Sequence, residues 1–179
     1  MKNIFLFLAL LPVFGFAQNR VEPRTLGKSS YVKSVSTLTT DGAFELAKHA
    51  FEAAAALDKK VSVAVLDADG VIILLVRGEN VGPHNTEASR RKAFTALSTK
   101  NASFTLMQNA TADPTAQNLN TLPELLLLGG GVPVWQNGQV IGSIGVSGAG
   151  GGLQDHNVAK QAVEKLGFSI TNSVLNQTK

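Results

Sequence analysis

Asn137-Gly138 stands between two strand-like runs, VPVWQ and QVIGSIGV. A tight two-residue hairpin turn needs positive φ at both central residues, and Asn-Gly supplies it with little strain. The chain must double back there, so the two runs pair antiparallel. Val140, Ile144 and Val146 are expected to face inward. Gly142, Gly145 and Gly148 thin the second strand, a sign that another backbone or a ligand comes close. A second hairpin is read around Asp67-Ala68-Asp69-Gly70, between VSVAVL and VIILLV. Val61, Val63 and Val65 alternate with Ser62, Ala64 and Leu66, whereas Val71 to Val76 is continuously apolar and is expected to be covered on both faces. Asp67 and Asp69 lack the later ligands of a calcium loop, so they are read as turn residues.

Helical periodicity fills the space around the hairpins. Phe44, Ala47, Phe51, Ala54 and Leu57 form one apolar stripe from Thr40 onward, with Glu45, Lys48, His49 and Glu52 opposite and Asp41 in the first turn. A second helix is expected from Asn85 to Lys100, capped by Asn85 or Thr86, with Glu87 one turn from Arg91. Its core face is Ala93, Phe94, Ala96 and Leu97, and a short helical piece follows over Phe104 to Gln108. Residues 109–123 carry two prolines and read as a long polar loop. The last helix takes Asp155 as N-cap, Val158, Ala162, Val163 and Leu166 as its apolar face, and Gly167 as its stop. Helix, hairpin, helix, loop, hairpin, helix is an α+β order: one domain with an antiparallel β-sheet flanked by α-helices. Hairpins in place of crossovers exclude a doubly wound nucleotide fold.

The first seventeen residues, MKNIFLFLALLPVFGFA, carry Lys2, an apolar run from Ile4 to Phe14 and small residues before a cleavage point at Ala17. They read as a signal peptide on residues 1–17 of an exported, periplasmic or secreted protein, and the mature chain is expected to contain no membrane span. Residues 18–37 read as a polar lead-in and 38–179 as the folded domain. The chain has no cysteine. That excludes disulfides, thiolate zinc, thiol catalysis and covalently attached haem. Stability then rests on a packed core or on oligomerisation. The formal charge of +3 falls by one when Lys2 leaves with the leader, and no basic run is interleaved with aromatics, so nucleic acid is not an expected partner.

Two stretches can carry chemistry. The first is GPHNTEASRRKAFTALS, where Pro83 stiffens the approach to His84 at the mouth of a basic helix. His84 is either a helix-start residue or a metal ligand, haem iron included, with Arg90, Arg91 and Lys92 either a solvated face or partners for propionates. The second is SGAGGG, in which Ser147, Gly148, Gly150, Gly151 and Gly152 lie between a strand and a helix. It is either a flexible turn or a backbone nest for an anion. It matches neither phosphate-loop pattern nor the G-x-S-x-G elbow, and the three histidines show no metal-binding spacing.

Taken together, VSVAVLDADGVIILLVRGENVGPHNTEASRRKAFTALS and LLLLGGGVPVWQNGQVIGSIGVSGAGGGLQDHNVAKQAVEKLG resemble the GlcG/HbpS-like haem-binding, or haem-degrading, domain family over about Leu38 to Phe168. The resemblance implies a profilin-like layered fold, homo-oligomers, and non-covalent haem b that is captured, stored or slowly degraded, with weak peroxidase-like activity. It places the histidine of GPH at His84 as preferred iron ligand, with Arg90, Arg91 or Lys92 on the propionates, Phe94 and Phe104 as apolar walls, and Thr105 and Met107 as further ligand candidates. Two other functions are compatible with the same chain. One is an accessory module without haem, related to glycolate utilisation, holding a small organic acid at Ser147–Gly152 and the 109–123 loop. The other is a structural or sensory oligomer that contacts a receptor.

Overall fold

The computed structural model describes residues 31–172. The expected signal peptide and most of the lead-in lie outside the described residues. From Val35 the chain forms one compact unit. It contains α1 (Thr40–Ala55), β1 (Ser62–Asp67), β2 (Ile72–Arg77), α2 (His84–Thr99), α3 (Ser103–Ala112), a 3-10 helix (Pro114–Thr121), β3 (Gly131–Gln136), β4 (Gln139–Ser147) and α4 (Gly152–Lys165). The strands form one antiparallel sheet in the order β2-β1-β4-β3. This is the α+β architecture expected, with helices on both faces. Asn137 and Gly138 have φ of 49° and 75°, the two positive angles the hairpin requires.

Strand alternation divides the core. Val63, Val65, Val132, Val134, Ile144 and Val146 pack in one cluster with α1 and α4. Each such fully buried side chain contributes roughly 1.5–3 kcal/mol over its exposed state. Ala64 and Leu66 point the other way, against Ala93, Phe94 and Leu97 of α2. Two glycines let α2 lie directly on the sheet. A Cβ on Gly145 would collide with the Ser89 carbonyl, and one on Gly131 with the Lys92 carbonyl.

Several expectations are corrected. β2 is an edge strand, and Val71, Ile72 and Leu75 are exposed rather than covered. The apolar run was read as two-sided burial, but α2 lies mainly over β4, β1 and β3. The buried stripe of α1 is Ala43, Leu46, Ala47, Ala50 and Ala54; Phe51 is half-buried, while Phe44 and Leu57 face solvent. Small residues win there because α1 packs against both the sheet and α4, which adds Ala159 and Ala162 to the same cluster. The α2 helix starts at His84, with Pro83 at the cap and no side-chain cap. Glu87 pairs with Arg90, not Arg91. Residues 109–123 are largely helical, split between α3 and the 3-10 helix that Asp113 caps. The N-cap of α4 is Gly151, and Asp155 lies inside the first turn.

Candidate functional site

The glycine turn and the basic helix meet. His84, Ala88 and Lys92 of α2, together with Ser147, Gly148 and Gly150–Gly152, line a single cavity of about 370 Å³. Asn85, Leu128 and Asp155 complete its wall. Gly82-Pro83 sets the approach. The Gly82 carbonyl accepts from the Asn85 backbone N–H at 3.0 Å and from its Nδ2 at 3.3 Å. The His84 ring packs over Gly82, where a Cβ would stand 2.9 Å from its Cε1 and 3.1 Å from its Nδ1. His84 is exposed, and its ring has no hydrogen-bond partner among the described residues.

The floor of the cavity is a polar thread. Lys92 Nζ donates to Asp155 Oδ2 at 2.8 Å, to the Val146 carbonyl at 3.2 Å and to Ser147 Oγ at 3.3 Å. Ser147 Oγ donates to Asn85 Oδ1 at 2.8 Å, and Asp155 Oδ1 accepts the Ala149 N–H at 2.7 Å. Lys92 is only 3% exposed. A buried ammonium survives only when fully paired, and this one ties α2 to the end of β4 and the start of α4. Lys92 is therefore committed to Asp155 and is not a free cation. Lys92 shares the buried face of α2 with Ser89, Ala93, Thr95 and Ala96, which corrects the reading of this basic run as a solvated face or a set of propionate partners.

The two arginines are also engaged. Arg90 donates to both carboxylate oxygens of Glu87, at 2.9 and 2.7 Å, and to Glu124 at 2.8 Å. Its guanidinium holds Glu87 below the usual carboxylate range, and the two acids raise the guanidinium in return. Arg91 Nη2 donates to the Leu125 carbonyl at 2.6 Å, while Thr95 accepts the Leu126 N–H at 2.8 Å. These contacts fasten the segment before β3 to α2.

Gly148, Gly150 and Gly151 have φ of 119°, 111° and 151°, and α4 begins with no side-chain cap. Backbone N–H groups at such a helix start favour an anion. Lys59 reaches this turn: its Cε lies 3.9 Å from where a Gly150 Cβ would be. Lys59 was not a candidate from the sequence, since nothing local links it to residue 150. Met107 also approaches, with its sulfur 3.4 Å from a Cβ position on Gly152. Thr105 does not join this group and lines a separate cavity with Trp135 and His156. Phe104 stacks on His156, with centroids 5.2 Å apart and planes at 21°. Phe94 packs under the sheet instead. Among the described residues, no group of three or more His, Cys, Asp or Glu side chains forms a metal cluster.

A layered α+β domain with an open, glycine-walled cavity beside an unpaired imidazole is thus the class that fold and site define. Residues 38–164 match the family described as haem degrading protein HbpS-like, and the chain belongs to that family. A double mutant of Streptomyces reticuli HbpS is similar in structure, with a TM-score of 0.71 at 33% identity, covering 78% of this chain and 94% of that one. The PduOC–haem complex has a TM-score of 0.68 at 27% identity, covering 75% of this chain and 99% of that one. The Escherichia coli K12 protein GlcG is 39% identical over 91 residues, 49% of this chain and 63% of GlcG, so the match spans just under two thirds of that relative.

Proposed function

We propose that this protein binds haem b without covalent attachment, with the His84 imidazole on the iron. The carrying observation is an exposed imidazole, seated on Gly82 and free of hydrogen bonds to the described residues, at a glycine-walled cavity. A relative solved with haem supports the reading. The donor chemistry fits, because imidazole is a common axial ligand to haem iron. Ala88, Gly148 and Gly150–Gly152 leave room for a flat face, and Leu128 gives it apolar contact. The cavity lies at the small end of the range of about 300–1,000 Å³ for organic ligands, so a porphyrin extends beyond it and keeps one open side. Arg90, Arg91 and Lys92 were the expected propionate partners, but each already has protein acceptors. Lys59, beside Gly150, is the better placed cation.

Haem held there would supply iron redox chemistry. The chain's own part is to bind, orient and leave one side accessible, which suits capture, storage or slow oxidative breakdown. Titration of the protein with haemin tests the proposal. A saturable Soret shift that is lost in His84→Ala is expected. A shift retained in that variant moves the ligand to Met107, whose sulfur approaches Gly152, and Met107→Ala tests it. No saturable shift in either protein overturns haem binding.

The second reading is favoured by the uncapped start of α4 with Lys59 alongside. There Ser147–Gly152 holds a small organic acid, and the protein is an accessory module without haem. It predicts a thermal shift with glycolate and no Soret change with haemin. On either reading we also propose export by residues 1–17, a profilin-like layering of the domain, and self-association. The exposed apolar edge of β2 supports the last of these. No described helix is long and apolar enough to cross a membrane.

A further inference from the structure

We infer that the cavity between the start of α3, β3 and α4 is a second ligand site, one that takes a small carboxylate with a flat aromatic body. It has a volume of about 350 Å³ and shares no lining residue with the cavity beside His84. Three elements build it. Lys100 and Thr105 come from the α2–α3 junction, Trp135 from β3 and His156 from α4. The segment after α4 closes one side, because Ser169 pairs with Trp135 through backbone hydrogen bonds of 2.8 and 3.2 Å.

Unsatisfied polar groups point to a guest. Buried side-chain nitrogens and oxygens without partners are rare and call for an explanation. Among the described residues, Trp135 Nε1 and His156 Nδ1 are two such atoms, and both belong to residues on this wall. Thr105 adds a hydroxyl. Thr95, Thr99 and Thr111 each return theirs to the carbonyl four residues back, but Thr105 has no such bond.

The chemistry of the wall selects the guest. The Lys100 ammonium and the Thr105 hydroxyl are donors, the buried indole N–H would join them once a guest shifts the ring, and no Asp or Glu lines the cavity. An acceptor-rich anion matches that set. The indole and the imidazole, itself stacked on Phe104, offer flat apolar faces, so an aromatic ring suits the body of the guest. Burial, then the nearby Lys160, keeps His156 readily neutral, so its ring carries one donor and one acceptor and does not compete as a second cation.

Trp135 is the only tryptophan in the chain, so its emission reports on this site. The test is a fluorescence titration of the protein with benzoate, and with benzamide as its neutral isostere. Benzoate should change the emission saturably, and benzamide should not. Lys100→Asn keeps a residue type tolerant of the left-handed backbone found there, φ 57°, and removes the charge. It should weaken benzoate by about tenfold or more, as expected for loss of a charge-assisted hydrogen bond. Thr105→Val should weaken it less, with the fold of both variants checked by circular dichroism. An unsaturable response to benzoate overturns the proposal. So does benzamide binding as tightly as benzoate, a comparison that needs no variant. Unchanged benzoate affinity in a folded Lys100→Asn protein removes the anion site.

Discussion

Lys92 shows how one buried charge decides local structure. Its ammonium meets Asp155, Ser147 and the Val146 carbonyl, so removing either ion leaves the other stranded in the interior. Lys92→Met should destabilise the protein by about 3–5 kcal/mol, read by urea denaturation. Lys92→Met with Asp155→Leu should recover much of that loss, since neither charge is then uncompensated. His156 gives a pH signature. Burial, and then Lys160, lowers its pKa from 6.5. The unfolded chain therefore takes up the proton first, and stability should be fully present above about pH 6.5 and fall as the pH drops through the lower folded value. The loss should be absent in His156→Gln. Glu87 and Glu79, also lowered, lose their contribution only as the pH falls below the carboxylate value of 4.5. At this scale the sequence was readable where a residue acts locally, as with Asn137 and Gly138. It was opaque where partners lie far apart. Lys92 and Asp155 are 63 residues apart, and each alone looks like a surface charge or a cap.

Among the elements, the glycines of β3 and β4 set how closely α2 sits on the sheet. Gly145→Ala would push against the Ser89 carbonyl and should cost about 1–3 kcal/mol or more through overpacking. Gly42 is a useful contrast. It lies in the first turn of α1, where a Cβ meets only Thr39 Oγ1 at 3.4 Å and a Leu38 methyl at 3.8 Å. Gly42→Ala should be neutral or stabilising by up to about 1 kcal/mol, and thermal denaturation of the pair separates the effects. Element types and order were legible because hairpin turns and helical periods are local signals. The inward face of α1 was not. Periodicity favours large apolar residues such as Phe44 and Leu57, whereas the tight approach of α4 selects Ala43, Ala47, Ala50 and Ala54. The helical character of residues 109–123 was hidden too, since Pro114 reads as a breaker and serves as a helix start.

For the whole molecule, the uncovered strip of β2 is the feature that a monomer explains least. Val71, just before the strand, is 62% exposed, and Ile72 and Leu75 on it are 43% and 38% exposed. If self-association uses this strip, Leu75→Lys should lower the mass measured by light scattering and leave the circular dichroism spectrum intact. An unchanged mass in a self-associating protein would place the interface elsewhere. His84 and the Ser147–Gly152 turn, read as two separate candidates, face one cavity because β4 ends where α2 begins. No local pattern contains that coincidence; it follows from the central place of β4 beside β1.

The two rims of the sheet are unequal. Trp135 on β3 is bridged by Ser169, while β2 has no neighbouring strand among the described residues. Fibrillar growth needs a sticky rim at each end of every added unit. If the molecule self-associates rim to rim, a rim bridged at Trp135 offers a poorer template than β2, and a closed pair is then expected over an endless ribbon. Shortening the chain before Ser169 would remove that safeguard, and amyloid-dye binding on prolonged incubation should then rise above that of the intact protein.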